Sequence, residues 1–225
     1  MKAPSIEDLF NNYKNLLEER LNHKTLLSIG EDSIRYDFFL ALLQTYNFKP
    51  YEIEIEVPLN ANCFVPNNNS NSKRTEKPMI DLVVKNLELQ ICAEFGLFRQ
   101  NSNENGTINK TARTIKMIND MVRASLESKF TNTKGYFICV ADNKIIGHKM
   151  QNEFIGKFPS DYEITNEFLE HQLEKKTNKI DRRFLNIFKP MNKKIISKIV
   201  YNELLISKNI KNETRVIIWE TQIEK

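Results

Sequence analysis

The stretch PMIDLVVKNLELQICAEFGLF, running from Pro78 to Phe98, decides the fold. Two short apolar runs, Met79 to Lys85 and Leu87 to Leu97, flank Asn86. They read as two strands joined by a tight hairpin. Each run is interrupted by one acid, Asp81 in the first and Glu94 in the second. A charge inside an apolar run costs free energy unless it finds a partner. With a two-residue loop, Lys85 lies opposite Glu88, and Asp81 and Glu94 become diagonal neighbours on one sheet face, with backbones ~7–8 Å apart. A four-residue loop keeps both acids on that face, whereas a loop one residue different sends Glu94 to the other. Two carboxylates that close repel, so one takes a proton or a cation sits between them. The plainer alternative is that each acid lies at a strand end and pairs with a Lys or Arg. Hard oxygen donors in this number suit Mg²⁺, an ion able to activate water and to neutralise charge on a phosphate.

Working outward, residues 5–28 carry Leu9, Phe10, Tyr13, Leu16, Leu17 and Leu21 at helical spacing. Ser5 stands as their cap, with Asp8 three residues on. A second helix is predicted from Glu31 to Tyr46, with Ile34, Phe38, Ala41, Leu42 and Thr45 inward. Tyr51 to Leu59 alternates apolar residues with Glu52, Glu54 and Glu56, the period of a half-buried strand. Asn60 to Lys77 is a long Asn-rich loop. Beyond the hairpin come a polar loop to Thr107, a long helix from Ile108 to Ser128, and a strand from Tyr136 to Ala141. Helical patterns follow at 149–157, 164–176, 180–188 and 192–208, then a last strand, Val216 to Trp219. The order predicts one α/β domain over residues 1–225, with a core at about 28–145 and a mostly helical, basic C-terminal extension over 149–225.

Composition bounds the rest. The chain has 225 residues, 40% hydrophobic and 28% charged, which describes a globular domain with a sizeable core. No apolar run approaches the ~20 residues that span a bilayer, and MKAPSIEDLF lacks a signal peptide's apolar stretch. A cytoplasmic location is expected. Cys63, Cys92 and Cys139 are odd in number and show no CxxC spacing, and Cys92 and Cys139 sit inside apolar strand-like runs, so buried free thiols are expected there. The formal charge of +4 is uneven. His171 to Lys225 holds 13 Lys and Arg against 6 Asp and Glu, a net of +7, which leaves −3 for the first 170 residues. A basic tail beside an acidic body suits a polyanion partner, or simply a solvated helical surface. No P-loop, GxGxxG, zinc spacing or GxSxG elbow is present. His23, His148 and His171 are scattered and form no ligand set.

Pro78, Met79, Ile80 and Asp81, with Glu94 thirteen positions after Asp81, resemble the PD-(D/E)XK nuclease superfamily, to which restriction endonucleases belong. The order of helix, strand, acidic hairpin, long helix and strand over about residues 28–145 matches as well. The resemblance implies a restriction-endonuclease-like core with a central mixed sheet flanked by helices. It also implies Mg²⁺-dependent hydrolysis of double-stranded DNA, with a type II restriction enzyme working as a homodimer as the role that suits this size. Asp81 and Glu94 would hold the ion with the backbone carbonyl of Phe95, and Glu31 is the candidate for the helix acid that family members often add, with Asp37 flanking the same stripe. The sequence departs from the pattern at Gly96, where the family usually has a lysine. Some members move that lysine to the following helix, which makes Lys116 the favoured candidate and Lys110 the second. Arg99 and Gln100 follow the acidic strand and are expected to touch phosphate. Lys73 and Arg74 in the Asn-rich loop, and Lys175, Lys176, Arg182, Arg183, Lys193 and Lys194 in the tail, are expected to grip the backbone. Gln90 shares Glu94's face. A nuclease-fold subunit that binds DNA or partners without cutting is the alternative, and RNA is the alternative substrate.

Overall fold

The computed structural model describes residues 3–66, 77–100, 108–148, 156–174 and 180–224. Helices α1 (Ile6–His23) and α2 (Glu31–Tyr46) precede strand β1 (Ile53–Pro58). The hairpin strands β2 (Met79–Lys85) and β3 (Gln90–Phe98) follow, then helix α3 (Lys110–Thr131) and strand β4 (Lys134–Asp142). The remainder is β5 (Tyr162–Ile164), α4 (Asn166–Glu174), α5 (Arg182–Phe188), β6 (Ile195–Leu204) and β7 (Thr214–Ile223).

Local signals set the helix ends. Ser5 caps α1 through the expected box: Asp8 N donates to Ser5 Oγ at 3.2 Å, and Ser5 N donates to Asp8 Oδ2 at 2.7 Å. Asn109 caps α3 by accepting from Ala112 N at 2.9 Å. Both α2 and α3 end on an asparagine in the left-handed region, Asn47 and Asn132.

The seven strands form one mixed sheet in the order β1-β2-β3-β4-β7-β6-β5. Only β3 and β4 run parallel, with α3 as their crossover; the other described pairs are antiparallel. α1 and α2 cover one face through Tyr13, Leu17, Phe38 and Leu42, which meet Leu82, Ala93, Phe95 and Ile138. α3, α4 and α5 cover the other through Ile118, Met121, Phe168, Phe184 and Phe188, which meet Cys92, Phe137, Cys139 and Trp219. Because both faces are covered, β3 and β4 are buried almost end to end, while edge strand β1 alternates. No described helix is long and apolar enough to cross a membrane. Cys63, Cys92 and Cys139 are free and buried, Cys92 and Cys139 as their apolar runs predict.

The C-terminal part departs from the sequence reading. It is not mostly helical. Residues 195–204, expected within a helix, form β6, and β7 is longer than the strand expected at 216–219. β7 lies against β4, so the tail completes the central sheet instead of extending it. The register of β6 on β7 shifts between Ile199 and Tyr201. A bulge of this kind breaks the two-residue period and makes the apolar positions mimic a helix. A buried hydroxyl chain fastens the join: Ser125 Oγ of α3 lies 2.7 Å from Thr221 Oγ1 of β7, which lies 2.8 Å from Ser197 Oγ of β6. The segment 149–157 lies mostly outside the described residues.

α3 lies tight against the sheet at Gly135. A Cβ there would stand 2.8 Å from the carbonyl oxygens of both Ala124 and Thr221. Backbone on two sides cannot yield, so Gly135→Ala is expected to destabilise the fold by about 3 kcal/mol. Urea unfolding checks this; an unchanged midpoint would refute the close approach.

Candidate active site

The site forms where the β2–β3 ladder ends. The hairpin loop spans four residues, because Lys85 pairs with Gln90, and pairing stops at Leu82 opposite Ala93. No ladder pair forms beyond that point: Asp81 instead turns its carboxylate to the backbone of β3. Asp81 Oδ2 accepts the Phe95 amide at 2.9 Å. On the other side, β1 pairs Ile55 with Leu82 and Val57 with Ile80, skipping Glu56, which has φ 53. A non-glycine residue in the left-handed region costs on the order of 1–3 kcal/mol, and such strain gathers at functional sites.

Three helical cations enter this gap. Arg35 of α2, 7% exposed, reaches Asp81 Oδ1 and Glu56 Oε1, each at 3.2 Å, and also pairs with Asp32. Lys116 of α3 donates to the Phe95 carbonyl at 2.7 Å and to Asp120 Oδ2 at 2.7 Å, and lies 3.2 Å from Glu31 Oε1. Arg123, further along α3, reaches Glu94 Oε2 at 2.9 Å and pairs with Asp120. Glu31 Oε2 accepts the Leu97 amide at 3.3 Å. Six carboxylates therefore face three cations, a formal excess of three negative charges.

Burial sets the electrostatics. Glu94 is 1% exposed, and its carboxyl is pushed well above the usual range by burial and by Asp81 and Asp120, against the pull of Arg123. Asp120, 2% exposed, is raised by burial despite Lys116 and Arg123. Burial acts to lower Lys116, but Asp120 and Glu31 outweigh it and hold the amine charged. Lys116 is thus a donor to negative charge, not a base. A buried carboxylate with a raised pKa destabilises the fold once ionised, so its cost is present at neutral pH and fades as pH falls through the carboxylate range. In EDTA, Glu94→Gln is expected to stabilise the protein by about 1 kcal/mol, raising Tm by roughly 2–4 °C at pH 7. A calorimetric Tm below wild type would refute this.

Among the described residues, no three His, Cys, Asp or Glu side chains are grouped to hold a metal by themselves. Two carboxylates and a main-chain carbonyl are a set that Mg²⁺ accepts because it keeps several waters, but here Arg35, Arg123 and Lys116 each already occupy one oxygen of Asp81, Glu94 and Phe95. Glu94 Oε1 still fits the ion: it is buried and has no hydrogen-bond partner. An open cavity of about 520 Å³ adjoins the group, lined by Lys116, Asn119, Asp120, Arg123, Asp181 and Phe184. Asp181 N donates to Asn119 at 2.8 Å, so α5 is tied to α3 beside the cavity.

The structure brings together Asp81, Glu94, Phe95, Glu31 and Lys116. It does not bring Lys110, at the start of α3, into any contact with this group. Asp37 is taken by Arg20 at 2.6 Å. Gln90 is exposed at the far end of the ladder. Arg99 donates to the carbonyls of Ile29 and Gln100, and Gln100 is buried. Arg182 is exposed; Arg183 pairs with Asp181 and lies 5.7 Å over the Phe184 ring. Lys193 donates to the Glu224 carbonyl, and Lys194 pairs with Glu163. Lys73, Arg74, Lys175 and Lys176 lie outside the described residues.

Sequence reading missed Arg35 and Arg123 and gave Asp120 no role. The spacing Lys116, Asp120, Arg123 was a usable signal, since residues three and four apart share a helix face. Arg35 offered none, because its partner Asp81 is 46 residues away.

Fold and site together define an α/β protein with a buried, ion-paired acidic centre at the open end of a hairpin. No family model matches this chain, nor does any curated protein or solved structure.

Proposed function

We propose that this chain is a Mg²⁺-dependent endonuclease with a restriction-endonuclease-like core, acting on the phosphodiester bonds of double-stranded DNA. The observation that carries the reading is convergence. Asp81, Glu94, the Phe95 carbonyl, Glu31 and Lys116 come from four separate elements and meet at one ladder end. Asp81, Glu94 and the Phe95 carbonyl would hold the ion. When bound, Mg²⁺ supplies Lewis-acid stabilisation of phosphate charge and a more acidic water. The Lys116 ammonium, beside the Phe95 carbonyl, would stabilise charge as it develops on a phosphate oxygen. Glu31 and Asp120 hold that ammonium in place. The basic C-terminal stretch attracts the polyanion. A homodimer reading a two-fold site, as in a type II restriction enzyme, is the assembly this reading carries.

A second reading has its own observation. Arg35 already pairs with Asp81 and Arg123 with Glu94, so both acids are neutralised by side chains. That arrangement favours a catalytically impaired subunit that binds DNA or supports a partner.

Incubation with phage DNA in Mg²⁺ and then in EDTA separates the two. Magnesium-dependent cutting that falls to background in Asp81→Ala and Glu94→Ala is expected. Binding without cutting, unchanged by either substitution, would leave only the subunit. Parallel incubation with RNA decides the substrate.

A further inference from the structure

A second cavity, of about 420 Å³, opens at the carboxyl ends of the parallel pair β3 and β4. Ligands of α/β sheets commonly sit at such ends. Leu26, Leu27 and Ile210 give it apolar walls; Gln100, Asn143 and Asn212 give it amides. Asp142 also lines it, but its oxygens are taken: Oδ2 accepts from Gln100 N and Oδ1 from Lys144 N, each at 2.9 Å. That carboxylate fixes the backbone of Gln100 and leaves its side chain to the cavity wall. Gln100 is 9% exposed, and its side-chain carbonyl oxygen is buried without a hydrogen-bond partner. An unpaired buried acceptor is costly, and a ligand's N–H would satisfy this one once the amide, whose oxygen is sealed from solvent as it stands, turns toward the cavity.

Apolar walls and an unsatisfied amide edge suit a flat heterocycle with donors and acceptors on its rim. A glutamine amide pairs bidentately with adenine, accepting from N6 and donating to N7. We infer that this cavity takes an adenine base read by Gln100. Gln100 lies five residues beyond Phe95, roughly 15 Å at ~3.3 Å per residue. That is about four to five base steps of duplex at ~3.4 Å each. One source of the adenine is a base swung out of the strand held at the catalytic centre, and for that source the inference rests on the nuclease reading. The other source is a free adenine nucleoside.

The test uses the whole chain in EDTA, with two arms. Calorimetry follows adenosine, guanosine and cytidine; fluorescence anisotropy follows single-stranded dA12 and dT12, whose bases need no unpairing. Adenine is expected to be preferred by about tenfold in at least one arm. The preference is expected to vanish in Gln100→Met, which keeps the bulk and removes the amide. Binding of adenosine itself assigns a free nucleoside, and binding of dA12 alone assigns a strand. No adenine preference in either arm, or one that survives Gln100→Met, overturns the inference. Should Gln100→Met not fold, Asn212→Trp fills the cavity from its exposed rim, and a preference that survives it overturns the inference as well. Cleavage in Mg²⁺ without adenine preference sinks this inference alone. Adenine binding without cleavage sinks the nuclease reading alone.

Discussion

Lys116→Met is expected to lower Mg²⁺-dependent cleavage by about 10²–10³-fold, the usual cost of removing one donor to developing charge. Lys110→Met is expected to change it less than about twofold. Lys116 donates to the Phe95 carbonyl and is held by Glu31 and Asp120. Lys110, six positions earlier at the helix start, makes no contact with that group. The Met side chain preserves the alkyl stem, so circular dichroism and Tm should stay near wild type while kcat falls. Equal losses in both variants, or a loss in Lys110→Met alone, would remove Lys116 from the site.

Placing a lysine at position 96, where the sequence departs from the pattern it resembles, should fail. Gly96→Lys is expected to give an unfolded or insoluble protein, and Gly96→Ala to cost about 1–3 kcal/mol. A Cβ at position 96 would lie 2.9 Å from both Phe137 Cζ and Phe98 Cε1. These rings are fully buried and belong to an aromatic cluster in which Phe137 lies 5.7 Å from Trp219 and Phe98 lies 6.0 Å from Phe158. A tightly packed aromatic cluster yields little to added bulk, so the lysine stem would have to displace buried rings. The space a lysine would need is filled by phenylalanine, so a cation for this site has to come from elsewhere, and α3 supplies it. A folded Gly96→Lys that rescued Lys116→Met would show the rings to be movable and this account wrong.

The sequence by itself determined the hairpin, α2 and α3, because these depend on short periods; it also placed Asp81 and Glu94 in the two hairpin strands. Tertiary structure alone decided which acids pair with which cations. Arg35 reaches Asp81 only because α2 lies across the sheet, and Lys116 prevails over Lys110 only because α3 crosses β3 where it does. It also turned residues 195–204 into a strand, since the free edge of β7 offered ladder bonds that local spacing could not reveal. Periodicity is written within a few residues of chain; charge pairing and strand pairing are settled between segments far apart in it, by which surfaces meet once the core closes.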